Sequence, residues 1–194
     1  MITAPTVWLD GRYDHYLGVR RGVMEKVRVD AVEQVKNPYP RSPGPFRVGL
    51  ALGATDVGLN YFELDAGEAF SGGYHTHHDQ EEIFYVQSGT ATFETEAGTE
   101  QVAAGEIIRF APGEFQHGYN DGTEPVSGLA IGAPFGSDDV EILKACPACG
   151  ERTFHRRRSL LSDDVTKADL QLLCPECGTE MIPTNRGEKE EPER

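Results

Sequence analysis

Lysine is scarce in this sequence, and cations are nearly missing from its centre. Only five of the 18 basic residues are lysine. Residues 48–145 hold two cations, Arg109 and Lys144, against 17 Asp and Glu, a local charge of −15 in a chain of −14. So acidic a centre repels phosphodiester backbones and anionic membranes, which makes nucleic acid and membrane partners unexpected. Excess acid with little lysine is also the balance of halophilic cytoplasmic proteins, although a simple solubility adaptation accounts for it equally well. Long apolar runs are missing too: none approaches the ~18 residues that would span a bilayer. Residues 1–10 lack a basic start followed by an apolar stretch, so no secretory signal is read there and the expected compartment is the cytoplasm. Cysteine occurs four times, always after residue 145.

What the sequence does have is turns. Its 22 glycines and 12 prolines punctuate short apolar stretches. Val57 to Leu64, Glu82 to Gln87, Thr90 to Glu96, Glu100 to Ala103, Glu106 to Phe110 and Val126 to Ile131 read as strands, with turn residues between most of them. Strands at such intervals, with no long helical periodicity between them, indicate an all-β sandwich or small barrel. Residues 1–47 read as an extension, partly disordered, with Met24 as an alternative natural start and a possible strand over 24–35. Four prolines between Pro38 and Pro45 make a stiff connector. The barrel is expected over 48–142, a cysteine module over 143–182 and a disordered polar tail over 183–194.

The chemistry gathers in Tyr74-His75-Thr76-His77-His78-Asp79-Gln80-Glu81-Glu82. Side chains alternate along a strand, so His75 and His77 share a face and can converge on one ion. Glu82 opens the next strand and offers an oxygen; Glu81 is the rival if the turn is one residue shorter. His117 can complete the set from a distant strand. Three imidazoles and a carboxylate suit one divalent transition metal, whether Fe(II), Mn(II), Ni(II), Co(II) or Zn(II). His78 reads as a rim residue, and Tyr74, Phe84 and Tyr119 as either pocket lining or core.

These residues resemble the cupin superfamily. Its first motif, Gly-x5-His-x-His-x3–4-Glu-x6-Gly, fits His75, His77, Glu82 and Gly89, with Ala69 in place of the opening glycine. Its second, Gly-x5-Pro-x-Gly-x2-His-x3-Asn, is matched loosely by Gly105, Pro112, His117 and Asn120: one residue is extra before Pro112, one is missing before Asn120, and Glu114 replaces a glycine. The resemblance covers about residues 48–134. It implies a jelly-roll barrel (a double-stranded β-helix) with the metal in its mouth, a small molecule bound there, and a homodimer.

The cysteines form two pairs, Cys146-Pro-Ala-Cys149-Gly150 and Cys174-Pro-Glu-Cys177-Gly178. Each pair aims two thiolates at one ion, and the glycine permits the tight turn that follows. Two such knuckles make a closed four-thiolate site, so the module looks like a zinc ribbon whose zinc supplies its folding energy. A rubredoxin-like iron centre and a pair of disulfides are the alternatives. Between the knuckles, Arg152, His155, Arg156, Arg157 and Arg158 form a basic cluster, read as a solvated face or a contact with the acidic barrel rather than a nucleic-acid footprint.

Two function classes follow. One is a metalloenzyme, since cupins with three histidines and a glutamate resemble dioxygenases, isomerases, epimerases and lyases. The shortage of cations favours a neutral or metal-chelating substrate, unless Arg109 points inward. The other is a small-molecule or metal sensor or adaptor whose ribbon contacts a partner. A third reading, metals held purely for stability, predicts no vacant coordination position.

Overall fold

The structure, a computed structural model, describes residues 24–36, 41–159 and 170–181. The expectations for residues 1–23 and for the tail from 183 onward lie outside the described residues.

Strand formation follows the alternation in the sequence. On β3 (Glu81–Ser88), Phe84 and Val86 are buried while Ile83 and Tyr85 are only half-buried. On β1 (Gly58–Leu64), Phe62 and Leu64 are buried while Glu63 between them is exposed. That period of two puts one set of side chains into a common interior. Two antiparallel sheets enclose it. The first runs β1–β8–β3–β6, with β6 at Ile107–Phe110 and β8 at Val126–Ala133. The second contains β5 (Gly98–Ala103), β4 (Thr90–Thr95), β7 (Gln116–Tyr119) and β2 (His75–His77), in that spatial order. A short α1 (Val48–Ala51) precedes β1.

Between the sheets lie Phe62, Phe70, Phe84, Phe93 and Phe110, with neighbouring rings 5.0–6.1 Å apart. Burying each contributes roughly 1.5–3 kcal/mol, and ring pairing adds to that. The core dictates what β7 can carry. A Cβ on Gly118 would collide with Phe93 and come within 2.9 Å of Phe70. Only glycine lets β7 lie this close to the aromatic stack. Asn120, fully buried, closes β7: its amide nitrogen donates to the carbonyls of Leu64 and Glu124, and its oxygen accepts from the Gly122 amide.

Three expectations differ from the structure. Residues 24–36 form no strand. They contain a 3-10 turn at Val29–Ala31 and a single bridge from Gln34 to Phe46. The expected barrel boundary at 142/143 falls inside β9 (Val140–Ala145). β9 pairs with β2 on one side and with β10 (Arg152–Ser159) on the other, so the barrel sheet continues without a break into the cysteine segment. β11 (Leu170–Leu173) and β12 (Glu180–Met181) extend it further. Finally, His155 is not part of a surface basic cluster. β10 turns it inward, where it is fully buried, while Arg156 faces out and holds Asp139 with two hydrogen bonds of 2.9 and 2.7 Å.

Candidate metal centres

β2 is paired on both sides, and this fixes the direction of its histidines. His75 lies opposite Gln116 of β7 and Ile142 of β9, all on the face turned to the barrel interior. The Nδ1 of His75 lies 2.8 Å from the Gly73 carbonyl, which can only accept, so Nδ1 carries the proton and Nε2 presents a lone pair. Such a contact is what orients a metal-binding imidazole. His75 Nε2 lies 3.8 Å from Glu82 Oε2, and His77 Nε2 lies 3.5 Å from Glu82 Oε1. One ligand atom from each of His75, His77 and Glu82 falls within 4.8 Å of the other two. The three side chains are mostly shielded from water, at 10, 14 and 18% exposure. Two imidazole nitrogens and a carboxylate, converging and half-dry, fit a divalent cation, and the structure brings them together as expected.

Of the two glutamates, Glu82 is the one placed here. It shares the inner face of β3 with Phe84 and Val86, whereas Glu81 faces out and accepts a 2.7 Å hydrogen bond from Arg109. Arg109 therefore points away from the interior. Phe84 belongs to the core; Tyr74 stacks outside on Phe115, and Tyr119 lies against His117. His78 sits at the rim, 3.2 Å from Glu141.

His117 is not in the cluster. On β7 the burial alternates so that Gln116 and Gly118 face inward, and His117 and Tyr119 face the other way. His117 pairs instead with exposed Glu94 on β4. Burial, and then the nearby His75, lower its pKa, while Glu94 opposes the shift. Gln116 occupies the inward position. It is buried, donates 2.8 Å to Glu82 Oε2, and lies 3.4 Å from His75 Nε2. The sequence contained the signal. If Ala111 takes the proline position, then Gly105, Gly113, Gln116 and Asn120 keep every spacing of the second cupin motif. Anchoring on Pro112 shifted the assignment by one residue, which on a strand selects the opposite face.

The cysteines form the second cluster. All four are reduced, and their sulfurs lie within 4.8 Å of one another. Cys146 and Cys177 are 3.6 Å apart, Cys149 and Cys174 3.8 Å. A disulfide needs about 2.05 Å. The edge of a tetrahedron with about 2.3 Å metal–sulfur bonds is about 3.8 Å, which these separations match. The two knuckles are built alike. Gly150 and Gly178 donate back to the carbonyls of Cys146 and Cys174, and both glycines have positive φ, 77° and 70°. The Cys146 and Cys174 amides in turn donate to the carbonyls of Glu151 and Thr179. Hydrogen bonds from Thr179 pull the Cys177 thiol down to about 6. The Glu151 backbone pulls Cys149 the same way, but burial and the three neighbouring sulfurs carry it up to about 12. Four crowded thiols cannot all ionise without a cation to offset their charge.

Two clefts lie elsewhere among the described residues. One is bounded by Arg28, Val29, Asp30, Phe46, Tyr61 and Glu63, and the other by Tyr61, Glu63, Ser88 and their neighbours; neither is lined by His75, His77 or Glu82.

Residues 60–132 match the family model described as the cupin domain. No curated protein matches the chain. Among solved structures, a sugar phosphate isomerase from a cupin superfamily of Silicibacter pomeroyi is 22% identical over 73% of this chain and 99% of its own, with a TM-score of 0.52. A putative sugar phosphate isomerase of Acidithiobacillus ferrooxidans is 29% identical over 50% of this chain, with a TM-score of 0.46. The chain spans 62% of that protein's length. The domain match covers the barrel strands from β1 to β8, and the likeness to the Silicibacter structure speaks for the fold alone.

Proposed function

We propose that the barrel is a metal-dependent enzyme of the dioxygenase, isomerase or lyase class, acting on a small neutral or metal-chelating molecule. The observation that carries this reading is the convergence of His75 Nε2, His77 Nε2 and Glu82, with the His75 ring oriented by the Gly73 carbonyl. In this reading these three residues hold one divalent transition metal, which would supply Lewis acidity or an anchor for the substrate. Glu82, accepting from Gln116, is kept pointing at the histidines rather than at solvent. The substrate class follows from charge. Arg109 is engaged by Glu81 on the outside, and Lys144 of β9, two residues beyond Ile142, has its pKa lowered by burial. A dianionic phosphate would find weak electrostatic support here, in contrast to what the name of the Silicibacter enzyme would suggest for this chain.

We read the four-cysteine cluster as a structural zinc ribbon. It closes around its ion with protein ligands alone and leaves no coordination position for chemistry.

Elemental analysis of the purified protein beside a His75→Ala/His77→Ala variant tests both readings. The expected result is one zinc plus one further transition metal per wild-type chain, with only the second lost in the variant. If wild type and variant carry the same single zinc, the enzyme reading fails.

A further inference from the structure

The residue that takes the place of a third histidine is an amide, and its surroundings are unusual. Gln116 is 2% exposed. Its Nε2 reaches Glu82 and His75, yet its Oε1, equally buried, has no hydrogen-bond partner. A buried carbonyl without a partner destabilises the fold, because its lost hydration is not replaced. The amide lies directly across the β2–β7 ladder from His75, so its oxygen is a half-turn from the space that His75 Nε2 and Glu82 Oε2 share.

We propose that Gln116 supplies the fourth protein donor of the barrel site through Oε1, making an N2O2 set that is harder than one with a third imidazole. The inference rests on the metal-site reading above and deepens it. A cation held by His75, His77 and Glu82 repels an inward-pointing NH2 group and attracts a carbonyl oxygen; the half-turn exchanges the Gln116–Glu82 hydrogen bond for the cation, which then orients Glu82 in its place, and gives the orphaned oxygen its partner. Replacing imidazole by amide oxygen makes the site harder. Carboxylate and carbonyl ligands suit manganese, whereas imidazole suits nickel, copper and zinc. Three neighbours fix the amide where it is: Gly118 keeps β7 against the core, Asn120 ties down its end, and β2 pairs across from it.

The test is titration of the full-length protein with Mn(II) alone and with Ni(II) alone, after a weak chelator has removed labile metal. Mn(II) is followed by the loss of its aquo-ion EPR signal; the soft thiolate cluster does not compete for it. Wild type is expected to bind one Mn(II) per chain. Removing an orienting partner costs 10–100-fold in metal affinity, so Gln116→Leu, which removes a direct donor, should cost about 100-fold. Gln116→Glu keeps an oxygen donor and should retain Mn(II), while Gln116→His should raise the ratio of Ni(II) to Mn(II) affinity above that of wild type. A merely structural glutamine would not produce that Glu/His split. If Gln116→Leu binds Mn(II) like wild type while His75→Ala does not, the metal site stands and this proposal is overturned. If wild type binds neither ion, the site reading and the proposal fall together.

Discussion

The two candidate metal centres of this chain are assembled in opposite ways. The histidine–glutamate site stands on walls that exist without it: five packed phenylalanines and two paired sheets place β2, β3 and β7 before any ion arrives. The cysteine site has no such support. β11 and β12 are four and two residues long, and among the described residues the segment outside the barrel has no aromatic core comparable to the barrel's. In the first region packing positions the ligands; in the second the ligands must position the strands. β9 joins the two. It borders His75 and His77 on one edge, and three residues beyond Leu143 it becomes the first knuckle.

The strongest way to break that comparison is to remove a knuckle thiolate. Structural zinc contributes about 10–16 kcal/mol to small modules that fold around it. Cys174→Ser should therefore abolish zinc retention and expose the β10–β11 amides to rapid hydrogen exchange. The β1–β8 and β3–β8 ladders should keep their protection. Loss of protection in those ladders would mean that the barrel depends on the ribbon.

The reverse experiment strikes the barrel alone. Gly118→Ala pushes a methyl into Phe93 and Phe70. Overpacking of this kind costs about 1–3 kcal/mol, read as a lowered urea midpoint. Zinc content should be unchanged.

A smaller effect is expected at the seam. His155 is fully buried, and neither ring nitrogen has a hydrogen-bond partner. Removing unsatisfied polar atoms while keeping volume is neutral or stabilising, so His155→Leu should raise stability by about 1 kcal/mol. A drop in the thermal midpoint would show that the imidazole serves a partner.

The smallest effect concerns the ion pair across the seam. The Arg156 guanidinium, hydrogen-bonded to Asp139, holds that carboxyl below its ordinary range. A depressed carboxylate stabilises the fold at pH values above its unfolded pKa and loses that contribution as pH falls through the folded value. Arg156→Gln should speed exchange slightly in β9 and β10 at neutral pH. The difference from wild type should vanish on acidification below the carboxylate range.

Much of the site was legible because its code is local. His75 and His77, two apart, share a face on any strand, and Glu82 follows within one turn. The knuckles too are read from spacing, since a Cys-x-x-Cys-Gly turn closes through its own hydrogen bonds. Where the reading slipped, the cause was also local. Proline at 112 drew the second motif one residue out of step, and on β7 one step exchanged inward Gln116 for outward His117. His155 leaves the basic cluster for the same reason, since β10 turns it inward while Arg156 faces out to Asp139.

The sequence by itself determined a β-rich barrel, the His-x-His and glutamate of one cluster, and the four cysteines of the other, because each depends on alternation or on a short turn. Only the tertiary structure decided which residue of β7 meets His75, which glutamate faces inward, and that β9 fuses the two regions into one sheet. Those outcomes depend on register between residues 39 to 67 apart in sequence, set by how glycine, asparagine and phenylalanine pack across the interior, and no spacing within a single strand records that.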